Sequence, residues 1–166
     1  MIEVSGVSAC YISADTGGDI CDLITSQYAL NGVSCSFSPG EVVSLAGLNG
    51  SGKSTLSCLL CAMRLADAGS VVVDGVDPAK SEHDRLAVRK AVGFVQQDPA
   101  DQIVSTLVFD EVAFGPRNLG LDEDDACERV RASLAAVGLD GFEKRDVSGL
   151  SGGEQQRLAL AGVLAM

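Results

Sequence analysis

The chain has 166 residues, 46% of them hydrophobic, and its 12 Lys and Arg against 23 Asp and Glu give a formal net charge of −11. This length allows one domain that buries about two-thirds of its unfolded surface. No apolar run approaches the roughly 20 residues of a membrane-spanning helix, and no basic segment followed by an apolar one marks a secretory signal at the start. The acidic charge repels nucleic acid and anionic lipid, so a phosphate ligand requires a local binding device. We expect a soluble cytosolic protein that does not bind nucleic acid.

The six cysteines do not show the spacing of a small disulfide scaffold, and we expect free thiols in a reducing compartment. Cys58 and Cys61 form a C-x-x-C, but there is no second pair, and the single histidine, His83, lies elsewhere. We therefore interpret the two cysteines as small apolar residues on one face of a helix rather than as zinc ligands, and His83 as a surface residue.

The N-terminal part of the chain predicts strands. Residues 1–12 are rich in alternating and β-branched residues, a polar loop follows over residues 13–26, and residues 28–37 read as a second extended segment. This pattern predicts a β-hairpin. Residues 42–46 form a short apolar run without polar alternation, which predicts a strand buried on both faces.

A glycine-rich loop and a helix follow that apolar run. Leu56, Leu59, Leu60 and Met63 recur at helical spacing, so the predicted order is strand, loop, helix. Further along, residues 69–75 predict a strand closed by Asp-Gly, and residues 81–91 a short helix that Ser81 caps.

Residues 92–99 predict a third core strand that Pro99 ends, and beyond it the pattern becomes helical. One of these helices carries an apolar stripe formed by Ala126, Val130, Leu134 and Val137. Its first turn, residues 122–125, is entirely acidic. We interpret this run as complementing the helix dipole rather than as a cation site, because no second acidic cluster stands at ligand spacing.

The strongest motif is GLNGSGKST, residues 47–55, which matches G-x-x-x-x-G-K-[ST] between a predicted strand and a predicted helix. Glycines let the backbone N–H groups point at phosphate oxygens, and the helix adds its positive N-terminal end. Lys53 is expected to reach the β- and γ-phosphates, Ser54 to bind Mg²⁺ and Thr55 to add a phosphate contact. The remaining predicted contacts come from the loop residues Gly47, Leu48, Asn49, Gly50, Ser51 and Gly52.

A second motif, LSGGEQQR, begins at Leu150. Ser151 followed three residues later by Glu154 is sufficient as a helix capping box. The box does not explain Gly152 and Gly153, which open backbone N–H groups at a helix start to close approach. The chain thus has two helix ends suited to phosphate.

Together the two motifs resemble those of the ATP-binding cassette (ABC) transporter ATPases, where LSGGQ is the signature and GxxGxGKST the phosphate loop. The stretch VGFVQQDPADQIVSTLVFDEVAFGPRNLGL resembles in particular the ATPase subunits of energy-coupling factor transporters, including the cobalt-type ones. The resemblance implies an α/β P-loop NTPase fold with an N-terminal antiparallel β-subdomain, a partial RecA-like core and a helical subdomain. It further implies one incomplete cassette domain, with the β-subdomain and nucleotide-binding core in residues 1–97, the helical subdomain in 98–149 and the signature helix in 150–166.

The resemblance assigns roles to further residues. Gln97 corresponds to the Q-loop glutamine that senses Mg²⁺ and the γ-phosphate, with Gln96 as the alternative if the register differs by one. Tyr11 stands where the family stacks an aromatic ring on adenine, which suits any purine face. Tyr28 is a rival for that position, and a plain strand tyrosine remains a third interpretation.

The implied function is that of the ATP-hydrolysing subunit of an energy-coupling factor importer at the cytoplasmic face of the membrane, with ATP and Mg²⁺ as cofactors. Two such subunits, identical or different, pair head to tail, so that Ser151, Gly152, Gly153 and Glu154 act on the partner's ATP. The other implied partners are a transmembrane coupling subunit and a substrate-binding membrane protein, and the cargo is a vitamin or a transition-metal ion such as cobalt.

In the family, a strand with the Walker B aspartate and a catalytic glutamate follows the signature helix, and the D-loop and switch histidine come later. None is present here, so we expect a fragment that lacks the C-terminal part of the core, and its own ATP hydrolysis stays open. The alternatives are a nucleotide-binding module without turnover and a soluble cassette ATPase of DNA repair or translation. Acidity and the stretch from Asp98 onward disfavour the latter.

Overall fold

The structure is a computed structural model that describes residues 1–14 and 24–166, with all their side chains except those of residues 12–14, 24–26 and 100. Contacts divide the chain into two compact units, Met1–Val92 and Gly93–Met166. No helix in the described ranges is long and apolar enough to cross a membrane.

The first unit contains a three-stranded antiparallel sheet in the order β2-β1-β3, formed by β1 (Ile2–Ala14), β2 (Ile24–Phe37) and β3 (Ala68–Val73). The predicted hairpin between β1 and β2 is confirmed. Of the predicted polar loop, residues 15–23 lie outside the described residues. In the central strand, Val4 pairs with Cys35 on one side and Val71 on the other, and Val4, Val7 and Ala9 are buried in the core, with a register shift between Val4 and Val7.

Two helices accompany this sheet, α1 (Lys53–Leu60) and α2 (Glu82–Ala91). As predicted, the Ser81 hydroxyl caps α2 by accepting a hydrogen bond of 3.0 Å from the Asp84 N–H. The predicted Asp-Gly closure of β3 also forms, with Asp74 and Gly75 both at positive φ, as a tight hairpin turn requires. The unit's core consists of Val4, Val7, Ala9, Leu30, Leu56, Leu59, Ala62, Val71, Val73 and Val88.

Helix α1 is shorter than its apolar pattern predicts, and Met63 lies beyond it, 55% exposed. Ala62 adopts φ +55°, and the Met63 N–H donates to the carbonyl of Cys58 over 3.0 Å. This is the Schellman arrangement, which ends a helix through a left-handed residue that is usually glycine. An alanine occupies that position here, so the sequence carries no glycine signal for the helix end.

Two predicted core strands, residues 42–46 and 92–99, are wrong as strands. Neither forms a β-ladder in the described part of the chain, and Val42 is 99% exposed instead of buried on both faces. A strand exists only where a neighbour accepts and donates its backbone hydrogen bonds. Apolar composition reports a preference for burial, but it does not supply that neighbour.

The second unit packs three helices, α3 (Val108–Asn118), α4 (Glu123–Ala136) and α5 (Gly152–Leu164). The predicted stripe of α4 is confirmed for Ala126, Val130 and Leu134, which are fully buried, while Val137 ends the helix as its C-cap. The unit's core consists of Val108, Val112, Ala113, Val130, Leu134, Leu139, Val147, Leu150, Leu158, Ala161 and Ala165.

The acidic first turn of α4 acts locally. The Asp122 carboxylate accepts a hydrogen bond of 2.9 Å from the Asp125 N–H and so caps the helix. Glu123 forms an ion pair with Arg117 at the end of α3. These contacts agree with a structural role for the acidic run, and no cluster of three or more metal-ligating side chains occurs among the residues that the structure describes.

Candidate functional site

The loop of residues 47–52 is exposed except for its last glycine, and glycine is sterically required at several of its positions. Gly50 and Gly52 adopt φ +81° and +90°, in the region that side chains disfavour. A Cβ atom on Gly52 would stand 2.4 Å from the Ala29 carbonyl oxygen, and one on Gly47 would stand 2.7 Å from Ser51 Oγ. The glycines therefore let the loop curl tightly against its own residues and against β2.

Helix α1 begins directly after this loop, with Gly52 as its N-cap. The Leu56 N–H donates to the Gly52 carbonyl over 2.9 Å and starts the hydrogen-bond ladder. The N–H groups of Lys53, Ser54 and Thr55 precede that ladder, at the positive end of the helix dipole. Ser54 is exposed and Thr55 is buried, so Ser54 presents its side chain to solvent at the helix start.

Lys53 turns its ammonium group back over the loop. Its Nζ donates hydrogen bonds to the carbonyl oxygens of Gly47 and Leu48, at 2.8 and 2.7 Å, and lies 3.5 Å from Ser51 Oγ. No acidic side chain forms an ion pair with it in the described ranges. A positive charge is thus held at the mouth of a loop that already presents helix N–H groups.

Of the two tyrosines, Tyr11 reaches the start of α1. Its hydroxyl lies 3.3 Å from Thr55 Oγ1, within hydrogen-bonding distance, and 52% of the residue is exposed. Tyr28, the rival, sits on the neighbouring strand, where it pairs with Cys10 and is 60% exposed. The contact with Thr55 brings Tyr11 to the loop, as its predicted role requires.

Arg64 and Asp67 also belong to this neighbourhood, although no motif of the sequence contains either. The Arg64 guanidinium lies 4.3 Å from the centre of the Tyr11 ring and forms an ion pair of 3.0 Å with Asp67. The Thr55 hydroxyl and then Arg64 lower the pKa of the Tyr11 phenol below its usual value. The i, i+3 spacing of Arg64 and Asp67 can be read from the sequence and predicts an ion pair. Nothing in the sequence indicates that this pair contacts Tyr11.

In the second unit, Ser151 starts α5 with the predicted capping box. Glu154 Oε2 accepts hydrogen bonds from the Ser151 N–H at 2.7 Å and from the Ser151 hydroxyl at 2.6 Å. These two bonds lower the pKa of the Glu154 carboxyl. Ser151 therefore has an ionised partner at neutral pH, and its hydroxyl proton points toward its own helix.

Gly152 and Gly153 have no steric reason within the chain to be glycines. Neither shows a positive φ, and a Cβ atom added to either would meet no described atom within 4 Å. Both residues are exposed at the N-terminus of α5. The free space above them leaves room for another molecule to approach the helix start.

Gln97 and Gln96 are both exposed in the segment before Pro99, which does not form the predicted strand. The Gln96 N–H donates to Gln102 Oε1 over 2.9 Å, which fixes the backbone there without deciding between the two glutamines. The first unit brings Tyr11, Lys53, Ser54 and Thr55 together. Gln97 and the residues of the capping box belong to the second unit.

A glycine loop that leads directly into a helix, with a lysine as the first helical residue, defines the P-loop class. The chain belongs to the ABC transporter family, whose family model matches residues 30–166. It is 46% identical over 138 residues to the energy-coupling factor transporter ATP-binding protein EcfA of Methanothermobacter thermautotrophicus, which covers 83% of this chain and 44% of that protein. It is 44% identical over 142 residues to EcfA1 of Clostridium perfringens, covering 86% of this chain and 50% of that protein.

Solved structures of ABC cassettes share the fold. The cbiO1 protein of Clostridium perfringens, part of the ABC transporter complex cbiONQ, matches with a TM-score of 0.81 and 29% identity over 99% of this chain and 61% of that one. A dimeric ATP-binding cassette in a post-hydrolysis state, bound to ADP and phosphate, matches with a TM-score of 0.82 and 26% identity over 99% of this chain and 69% of that one. The predicted fold class is confirmed. The chain spans about half the length of the curated relatives it matches.

Proposed function

We propose that residues 47–55 bind the phosphates of ATP and that the chain is the nucleotide-binding part of an energy-coupling factor importer ATPase. The observation that carries this proposal is the Lys53 ammonium group, held over the loop by neutral acceptors of the loop itself, beside three helix N–H groups that precede the α1 ladder. An isolated cation beside helix N–H groups attracts an anion. A polyphosphate fits because it offers several anionic oxygens to these donors.

Phosphate binding replaces contacts that Lys53 already makes. A γ-phosphate oxygen would replace the Gly47 and Leu48 carbonyls as acceptors, so that two neutral acceptors give way to a charged one. Lys53 is an ionised donor in both cases, and the exchange is favourable because a charged acceptor adds ion-pair attraction to the hydrogen bond. The loop's own carbonyls hold the ammonium near its working position and reduce the ordering cost.

The residues around the loop fit Mg²⁺ and adenine. Ser54 presents an exposed hydroxyl at the helix start, and one such oxygen suffices because Mg²⁺ keeps waters and binds through substrate phosphates. Gln97, with Gln96 as the alternative, would supply the second protein ligand in the assembled cassette. Tyr11 offers a half-exposed ring beside Thr55 for the base. Once bound, Mg²⁺ would neutralise charge that develops on the phosphates.

We assign the residues of the capping box, Ser151 to Glu154, to the ATP of a second subunit. The open space above Gly152 and Gly153 supports this role, because no described part of the chain requires glycine there. The N–H groups at the start of α5 would then face the partner's nucleotide, and the Ser151 hydroxyl would exchange Glu154 for a phosphate oxygen. The dimeric state of the solved cassette supports a paired arrangement.

The relatives support a role in transport. We propose that the two units are parts of one cassette domain, with residues 98–149 as the helical subdomain that receives the transmembrane coupling subunit at the cytoplasmic face of the membrane. A separate membrane protein would bind the cargo, a vitamin or a transition-metal ion such as cobalt. The names EcfA and cbiONQ of the relatives support this class of transporter.

Phosphate release tests the proposal. The chain is assayed with Mg²⁺ and ATP alone and after mixing with a full-length energy-coupling factor ATP-binding subunit that keeps its own phosphate loop but carries a Ser→Arg change in its own LSGGQ signature. Phosphate release that appears only in the mixture supports an ATPase subunit. Co-purification of the chain with the membrane subunit would support its place in the transporter. ATP binding without release in either case would favour a nucleotide-binding module without turnover.

A further inference from the structure

Two side chains just before the start of β3 continue the hydrogen bonding of the sheet along β1. The last pair between β1 and β3 joins Ser8 and Ala68, so that Cys10, two residues on, has no strand neighbour on that edge among the described residues. The Asp67 carboxylate accepts a hydrogen bond of 2.7 Å from the Cys10 N–H, and Arg64 Nη2 donates one of 2.5 Å to the Cys10 carbonyl. A side-chain pair thus satisfies both backbone groups that a further strand residue would have satisfied.

Arg64 and Asp67 together hold the backbone of Cys10, and we call this pair of side chains the clamp. The two side chains form an ion pair of 3.0 Å with each other. The Cys10 N–H, the Cys10 side chain and Arg64 lower the pKa of the Asp67 carboxyl, so the carboxylate form is favoured in the pair. The clamp therefore fixes the backbone immediately before Tyr11.

Tyr11 is then held at both ends of its side chain. The Arg64 guanidinium lies 4.3 Å from the ring centre, and the ring hydroxyl lies 3.3 Å from Thr55 Oγ1. A cation over the ring face and a hydrogen bond at its tip restrict both rotatable bonds of the side chain. Even so, 52% of Tyr11 stays exposed.

We propose that Arg64 is a positioning residue for purine binding: it covers one face of the Tyr11 ring and presents the other to the base of a nucleotide seated on residues 47–55. This inference rests on the proposed nucleotide site. Arg64 acts through Tyr11 and not on the phosphates. Its loss therefore weakens binding of the base while leaving the phosphate contacts intact.

The expected loss of ATP affinity follows from the cost of ordering one aromatic side chain. Releasing such a side chain corresponds to about a three- to tenfold change in dissociation constant. Arg64→Met keeps the length and apolar stem of the side chain but removes the guanidinium. Arg85→Met is the matched control, because Arg85 makes an ion pair of the same i, i+3 kind, with Glu82 at 3.1 Å, on α2.

The experiment measures dissociation constants of Mg²⁺-ATP and Mg²⁺-tripolyphosphate for the full chain by calorimetry. We expect Arg64→Met to weaken ATP about three- to tenfold and to leave tripolyphosphate unchanged, while Arg85→Met changes neither. In a Tyr11→Ala background, Arg64→Met should have no further effect. Equal weakening of both ligands, unchanged or tighter ATP binding, or additive effects with Tyr11→Ala would overturn the inference.

A second readout tests the contact between Arg64 and the Tyr11 ring. In a Tyr28→Phe background Tyr11 is the only tyrosine, and its ultraviolet absorbance reports its ionisation. The Thr55 hydroxyl and Arg64 lower the pKa of Tyr11, so Arg64→Met should raise it. An unchanged Tyr11 pKa contradicts the inference. If Arg64→Met does not fold, Arg64→Lys serves, since lysine cannot contact the Cys10 carbonyl and the ring together, and the same selective loss is expected.

The two proposals fail in different ways. If the unmodified chain binds neither ATP nor tripolyphosphate, the proposed nucleotide site is wrong. If it binds both, but Arg64→Met behaves like Arg85→Met, the site stands and the role of Arg64 is wrong.

Discussion

The Lys53 ammonium group donates a hydrogen bond of 2.8 Å to the carbonyl oxygen of Gly47, so the first residue of α1 is tied to the first residue of its own loop. This contact closes the loop into a ring before any ligand is present. The loop must bend sharply to make it, and that bend is where the glycines become necessary.

Gly52→Ala should therefore be costly. Gly52 adopts φ +90°, and a Cβ atom there would overlap the Ala29 carbonyl. Gly120→Ala is a matched control with φ +82° and nothing within 4 Å of the added atom. Urea unfolding should give a loss of about 1 kcal/mol for the control and about 2 kcal/mol or more for Gly52→Ala. Equal losses would show that the close approach to β2 does not exist.

Gly153→Ala should separate stability from function. An added methyl group meets no described atom there or at the control position Gly162, which lies on the same helix. Both changes should leave stability the same or raise it by up to about 1 kcal/mol, because alanine is the better helix former. Only Gly153→Ala should abolish phosphate release in the mixture with a full-length partner subunit. Equal release from the two variants would refute the assignment of α5 to a partner's nucleotide.

Glu154 should contribute to stability in a pH-dependent way. Its pKa is lowered in the folded chain by the Ser151 hydroxyl and N–H, so its contribution is present above the unfolded pKa and lost as pH falls through the folded one. The stability difference between the unmodified chain and Glu154→Gln should be constant near neutral pH and should shrink below pH ~4. Thermal unfolding at a series of pH values measures it, and a difference that persists at low pH would contradict the capping geometry.

Local features were predictable from the sequence because their causes are local. The Asp74-Gly75 turn, the cap at Ser81 and the box at Ser151 each depend on residues within one turn of the chain. The phosphate-loop motif was equally readable, since glycine positions and a lysine specify it without distant partners.

The features that sequence reasoning missed depend on distant or unusual partners. Residues 42–46 read as a buried strand, but strand formation is decided by a neighbour, and Val42 is exposed. Helix α1 ends before Met63 because Ala62 adopts the left-handed conformation in which glycine is usual, so the sequence shows no glycine at the helix end. Arg64 lies over Tyr11, 53 residues earlier in the chain, and no local pattern connects them.

The most direct test of the central claim is the affinity of the chain for Mg²⁺-ATP with and without the Lys53 ammonium group. Lys53→Ala should weaken binding by more than about tenfold, because it removes a charge-assisted contact to phosphate. Lys80→Ala, at an exposed lysine outside the loop, is the control and should bind like the unmodified chain. Equal dissociation constants for all three proteins would contradict the account.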